Sequence, residues 1–213
     1  MREIAGPSPE EMGLTIETEK PKKVFLEVGL SPNWKQGPLV FDEGSLATDH
    51  DMYVGLDYRA ESVNEASSLA KEKGTKNALF VQADAQNTPF DSETIDTIYF
   101  GNVFGGVYDG DNAPEGTRDR FIQEARRILK PTGRVIIFEN LTPENADDWG
   151  QEGGIDNKLE KSGFVLERRL EEGDPEWDST IQEVGITDKS KPRKGTKFLV
   201  IATPKIESLA KAA

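Results

Sequence analysis

The sequence predicts an α/β fold of three layers, a mostly parallel sheet sandwiched between helices. Three observations carry this: seven short apolar runs recur along the chain, helical patterns separate most of them, and several runs are nearly continuous in Val, Ile, Leu and Phe. Strands buried on both faces by helices have that composition, whereas half-solvated strands alternate apolar and polar residues.

Taken in order, the first run is VFLEV, residues 24–28. The stretch that follows, 34–51, stands where the first helix of an alternating pattern belongs. It contains Gly37, Pro38 and Gly44 and shows no sustained helical period. The second run, 52–56, leads into ESVNEASSLAKEKG, where Val63, Ala66 and Ala70 share one helical face and Gly74 stops the helix. The third and fourth runs are 78–81 and 95–100. The clearest helix is RDRFIQEARRIL: Phe121, Ile122, Ala125, Ile128 and Leu129 recur at helical spacing, and Pro131 with Gly133 closes the segment. A fifth run, 134–138, precedes a short helix in IDNKLEKSG, with Ile155 and Leu159 one turn apart. After the sixth run, 164–168, residues 169–197 are polar, charged and turn-rich without a convincing amphipathic helix. This predicts a long hairpin-type connection and therefore an antiparallel final strand at 197–202. The segment 170–196 is open to three roles: a lid, an acceptor wall or an oligomer contact.

A chain of 213 residues, 35% hydrophobic, suffices for one substantial core. The expected organisation is an N-terminal extension over 1–22, one domain over 23–204 and a C-terminal tail over 205–213, since termini without apolar pattern are weakly anchored. Lys and Arg number 26 against 39 Asp and Glu, a formal charge of -13. A field of that sign repels a phosphate backbone, so nucleic acid is disfavoured as a partner. The absence of cysteine excludes disulfides, thiolate metal sites and a cysteine nucleophile. No stretch approaches the roughly 20 apolar residues of a membrane span, and a cytoplasmic location is expected. The acidic DGDN in the loop after the fourth run lacks the ligand spacing and closing glutamate of a calcium loop, and no metal site is predicted.

The segments VFLEVG, YVGLDYRAESVNEA, LFVQADAQNTPFDSETIDTIYFGNVF, FIQEARRILKPTGRVIIFE and the closing LEKSGFVLERR and TKFLVIATP together resemble a class I S-adenosylmethionine-dependent methyltransferase. The resemblance spans residues 23–204, and RRILKPTGRVIIFE is its most specific part. It implies a seven-stranded sheet in the order 3-2-1-4-5-7-6 with strand 7 antiparallel, S-adenosyl-L-methionine as cofactor, and methyl transfer to a small molecule or a protein side chain.

The same resemblance implies a set of site residues. Asp57, followed by Tyr58, stands where the family places its ribose-binding acid; a carboxylate there accepts two hydrogen bonds from a diol, and the alternative is an acid stabilised by the next helix's dipole. Asp84 would face the adenine amine with Ala85 backbone at the ring edge, or serve as a plain turn aspartate. Phe100, Gly101 and Asn102 would floor the site, where glycine permits close backbone approach. Amide-directed methyltransferases follow this position with two prolines and an aromatic residue; here Val103, Phe104 and Gly105 follow Asn102, which argues against amide-nitrogen chemistry.

The loop after the first strand departs from the family. An acid and three alternate glycines are expected, but the chain reads Glu27, Val28, Gly29, Leu30, Ser31, Pro32, Asn33. Either Ser31 and Asn33 supply polar side chains to the methionine carboxylate, or the loop has lost the cofactor and the domain serves as a binding or assembly partner. The presence of both Asp57 and Asp84 favours the first. Trp34 and Phe41 are expected to pack the loop against the sheet edge. No general base stands out. His50, the only histidine, reads as a surface residue, and Tyr108, Asp109 and Asp111 lie in a loop where relatives bind acceptors. A transfer-RNA methyltransferase is a weaker alternative given the charge, and a nicotinamide dehydrogenase weaker still, since G-x-G-x-x-G is missing.

Overall fold

The computed structural model describes residues 23–30, 44–104, 116–141, 154–186 and 196–206. Seven strands form one sheet: β1 (Val24–Val28), β2 (Met52–Asp57), β3 (Ala78–Gln82), β4 (Ile95–Gly101), β5 (Leu129–Leu141), β6 (Phe164–Glu171) and β7 (Thr196–Pro204). Their order is β3-β2-β1-β4-β5-β7-β6. β1 to β5 pair in parallel, and β7 runs antiparallel to both β5 and β6.

The helices are α1 (Ala60–Glu72), α2 (Thr117–Ile128), α3 (Gly154–Lys161) and α4 (Trp177–Val184). α1 buries Val63, Ala66 and Ala70, the first two against Leu30 and Phe80, and ends at Gly74 with φ 65. α2 buries Phe121, Ile122, Ala125 and Ile128. It stops because Leu129 turns extended and joins β5 directly, opposite Ile95. The ladder resumes only at Thr97 and Arg134, so KPTG bulges out, and a Cβ on Gly133 would lie 2.8 Å from the Asp96 carbonyl oxygen. One sheet face packs Leu26, Val54, Ile98 and Ile137 against α2 and α3; the other packs Phe25, Tyr53, Tyr99 and Phe138 against α4.

Two expectations need correction. The connection between β6 and β7 contains α4, which buries Trp177, Thr180 and Val184 and ends at Gly185 with φ 67. Its apolar stripe is only eight residues long within a charged segment, and a helix so short is held by packing rather than by its own propensity. Burying the Trp177 ring beside Phe138 contributes on the order of 2–3 kcal/mol. The antiparallel final strand stands, reached through a helix rather than a bare hairpin.

The three-layer sandwich is also corrected: the sheet curls into a half-barrel rather than lying flat between its helices. Strands twist with a fixed hand, and bulges increase the local twist. Such irregularities interrupt the β4–β5 and β6–β7 ladders. Helical cover is uneven as well. The β3–β4 connection consists of turns, and Leu79 on the β3 edge is 50% exposed. The extension 1–22 lies outside the described residues, as does most of 34–51, of which a 3-10 turn at Leu46–Asp49 is described.

Candidate functional site

Ligands of open α/β sheets sit beyond the carboxyl ends of the strands where strand order reverses. Here that point lies between β1 and β4, with β2 on the other side of β1. The residues leaving β1 to β4 therefore define the edge on which a site is built.

At the end of β1, Gly29 adopts φ 88, and its N–H donates to the Leu56 carbonyl at 2.8 Å. A Cβ there would lie 2.6 Å from Val103 Cγ2, so the β1 and β4 loops approach as closely as they do because this residue has no side chain. Glu27, two residues earlier, is buried and accepts a hydrogen bond from the Tyr53 hydroxyl at 2.8 Å. Burial pushes the Tyr53 hydroxyl well above its ordinary pKa, and the neighbouring Glu27 charge and their hydrogen bond push it further. Ser31, Asn33, Trp34 and Phe41 lie outside the described residues.

Asp57 closes β2. The residue is 4% exposed, and its carboxylate accepts the Arg59 N–H at 2.8 Å and is also bonded by the Leu30 N–H. The Arg59 guanidinium stands 3.5 Å from the carboxylate and lies over the ring of Tyr58, which is 50% exposed. Burial raises the Asp57 pKa, and the bonds and charge of Arg59 offset only part of that. A buried acid held above its ordinary value is stabilised by further donors, and two ribose hydroxyls are such donors.

Asp84 follows β3 and is exposed. The Gln86 N–H donates to Asp84 Oδ1 at 2.9 Å, the geometry of an Asx-turn, so this aspartate shapes its own turn. Ala85 is half-buried against the core. At the end of β4, a Cβ on Gly101 would lie 2.6 Å from the Tyr99 ring, and Asn102 takes φ 54 while its N–H donates to the Phe138 carbonyl at 2.8 Å. Asparagine tolerates that left-handed conformation better than most residues. Phe104 is fixed on both sides of its peptide: its N–H donates to Glu139 Oε1 at 2.7 Å and its carbonyl accepts from Arg118 Nε at 3.0 Å.

Asp57, Asp84, Ala85, Gly101 and Asn102 thus share one edge, and the acceptors there suit the adenosine half of S-adenosylmethionine: a buried acid for a diol and an exposed acid for an amine, while the space beside Gly101 is taken by the Tyr99 ring rather than left open for close approach. The methionine half would fall to residues after Leu30, most of them outside the description, as are Tyr108, Asp109 and Asp111.

His50 is neither catalytic in position nor a surface residue. It sits near the amino ends of the strands, with Nδ1 2.6 Å from the Leu46 carbonyl, Nε2 3.1 Å from Thr97 Oγ1 and its ring edge-on to Phe25. A carbonyl only accepts, so Nδ1 carries the proton and Nε2 accepts from the threonine hydroxyl. Burial lowers its pKa, which agrees with a neutral ring.

Residues not anticipated from sequence hold the β3–β4 loop. Glu124, on the buried face of α2, accepts the Thr88 N–H at 2.7 Å and hydroxyl at 2.6 Å, and pairs with Arg127 at 2.7 Å. Burial raises the Glu124 pKa, but the Arg127 and Thr88 bonds outweigh it and hold the group below its ordinary value. Arg127 also donates to the Phe90 carbonyl at 2.8 Å. The signal was a charge at the buried spacing Phe121, Glu124, Ile128. Glu139, 1% exposed at the end of an apolar strand, left a similar signal.

Among known proteins, a family model described as a methyltransferase domain matches residues 39–162, more than half of the chain. The chain is 32% identical over 95 residues to the uncharacterized methyltransferase YcgJ of Bacillus subtilis, covering 43% of this chain and 33% of that protein. It is 39% identical over 70 residues to the ubiquinone/menaquinone biosynthesis C-methyltransferase UbiE of Idiomarina loihiensis, covering 33% of this chain and 25% of that one. These matches span a quarter to a third of the relatives' lengths. In fold, the crystal structure of YcgJ superposes with TM-score 0.57 at 18% identity, covering 87% of this chain and 92% of that one. A methyltransferase from Methanosarcina mazei superposes at 0.59 with 16% identity, covering 86% and 93%. The strand order, the acids at its carboxyl edge and the matching family model agree: the chain belongs to the class I, Rossmann-like S-adenosylmethionine-dependent methyltransferases.

Proposed function

We propose that this protein transfers the methyl group of S-adenosylmethionine to a small molecule. The observation that carries the reading is Asp57, a nearly buried acid with a raised pKa at the carboxyl end of β2, one strand from the point where sheet order reverses. Family membership supports the cofactor, and the named substrates of relatives such as the demethylmenaquinone methyltransferase of Lactococcus lactis support a small organic acceptor.

The cofactor, when bound, supplies an already activated methyl, so the protein's task is alignment. Asp57 would accept from the ribose hydroxyls and fix the sugar. Asp84 would accept from the adenine amine, with Ala85 backbone at the ring edge. Gly101 and Asn102 would form the floor, their backbone set by the Asn102 bond to Phe138 and by the Glu139 and Arg118 bonds on Phe104.

Isothermal titration with S-adenosylmethionine and S-adenosylhomocysteine tests the reading. Binding at micromolar strength, about −8 kcal/mol, is expected. Methyl transfer is then checked by S-adenosylhomocysteine release in the presence of quinone and phenol acceptors. Absence of binding at millimolar ligand would sink the reading and return the domain to a non-catalytic role.

A further inference from the structure

The loop after β3 is tied to α2 along its length, and one of these ties reaches the acid that would meet the adenine. Gln86 lies between Asp84 and Arg120. Besides its backbone bond to Asp84, its side-chain amide nitrogen donates to Oδ1 at 3.2 Å and Oδ2 at 3.0 Å. Its amide oxygen accepts from Arg120 Nε. Arg120 is held in turn by Nη2 donating to the hydroxyl of buried Thr117 at 3.0 Å. The amide has only one orientation in this chain of bonds, because a guanidinium only donates and a carboxylate only accepts. The base of the relay is firm: Glu124 and Arg127, on the same helix, fasten Thr88 and Phe90 of the same loop.

We propose that Gln86, oriented by Arg120, is a positioning residue that aims the Asp84 carboxylate at the exocyclic amine of the cofactor and sets the site's preference for a 6-aminopurine over a 6-oxopurine nucleoside. This rests on the cofactor reading above. Gln86 satisfies part of the Asp84 acceptor capacity, which fixes the plane of the carboxylate and leaves its remaining lone pairs for a ligand, and Arg120 fixes Gln86 in turn. A carboxylate acceptor attracts an amine and repels a carbonyl oxygen, so this arrangement favours adenine.

The test is titration of S-adenosylhomocysteine and its deaminated analogue S-inosylhomocysteine into wild type, Gln86→Leu and Arg120→Met, with melting temperatures measured in parallel. Wild type is expected to prefer the adenosyl ligand by about tenfold or more, the effect of one hydrogen bond to a charged group gained against one lost. In Gln86→Leu the ratio should fall to within about threefold of unity, and Arg120→Met should fall between. A merely structural role for Gln86 would weaken both ligands equally and leave the ratio alone. An unchanged ratio in both variants overturns the inference while the cofactor reading survives; wild type that binds neither ligand overturns both. If Gln86→Leu fails to fold, Arg120→Met on the exposed face of α2 decides the matter by the same ratio.

Discussion

Asp57 and Asp84 close adjacent, parallel-paired strands, yet the protein treats them in opposite ways. Asp57 is immobilised by burial: the core closes around it, a backbone N–H of its own turn and one from the β1 loop bond to it, and its charge is disfavoured in consequence. Asp84 is exposed and immobilised by polar neighbours, Gln86 and through it Arg120. The difference shows two routes to one requirement, a carboxylate held still at a strand end. Burial gives a stronger hydrogen-bond acceptor because water does not compete, at a cost in stability. The exposed network costs little and yields a weaker, more adjustable contact.

Replacing each acid should separate the routes. Asp57→Ala is expected to lower S-adenosylhomocysteine affinity about hundredfold or more, roughly 2.7 kcal/mol, with the circular dichroism spectrum unchanged. An affinity within a fewfold of wild type would show that burial at the end of β2 serves packing alone. Glu124→Ala removes the buried acid that fastens the Asp84 loop and leaves the Thr88 N–H and hydroxyl without that acceptor. It should cost about 2 kcal/mol in urea unfolding and should weaken the cofactor mainly through the adenine. Asp84→Ala is expected to cost only about 1 kcal/mol of affinity, because a bond from this exposed acid to the amine would compete with water.

A smaller effect, in pH, carries opposite signs at two buried acids. The folded pKa of Asp57 is raised, so its contribution to stability is fully present below the ordinary value of 3.8 and is lost as pH rises through the folded value. Asp57→Asn keeps an acceptor for Arg59 and should therefore melt higher than wild type at neutral pH, with the gap closing on acidification. Glu124 is lowered, so its contribution is present above its ordinary 4.5 and is lost as pH falls through the folded value. Glu124→Gln should melt lower at neutral pH, and its gap too should close on acidification. Gaps of the same sign would break the distinction between an acid opposed by burial and an acid held by partners.

Much of this was legible in the chain. Near-continuous apolar runs marked all seven strands to within a few residues, except β5, which starts earlier because Leu129 passes from helix to strand without a loop. α1 and α3 followed from apolar spacing and terminal glycines, whereas α2 followed from spacing alone, since Pro131 and Gly133, expected to close it, lie inside β5. α4 did not, because three buried side chains in eight residues do not outweigh a charged background until Phe138 and its neighbours give Trp177 a surface to cover.

The sequence by itself determined the alternation of strands and helices, the two acids at strand ends and the membership of a family, because these are local or periodic properties of the chain. Only the tertiary structure decided that the sheet curls, since curvature depends on which faces find helical cover and where ladders slip. It alone decided that His50 lies at the far end of the sheet, and that Gln86, Thr88, Arg120, Glu124 and Arg127 form one scaffold beneath the loop that follows β3. Those contacts join residues 34 to 39 positions apart, and a polar side chain gives no sign in sequence of which distant carbonyl or carboxylate will be within its 3 Å reach.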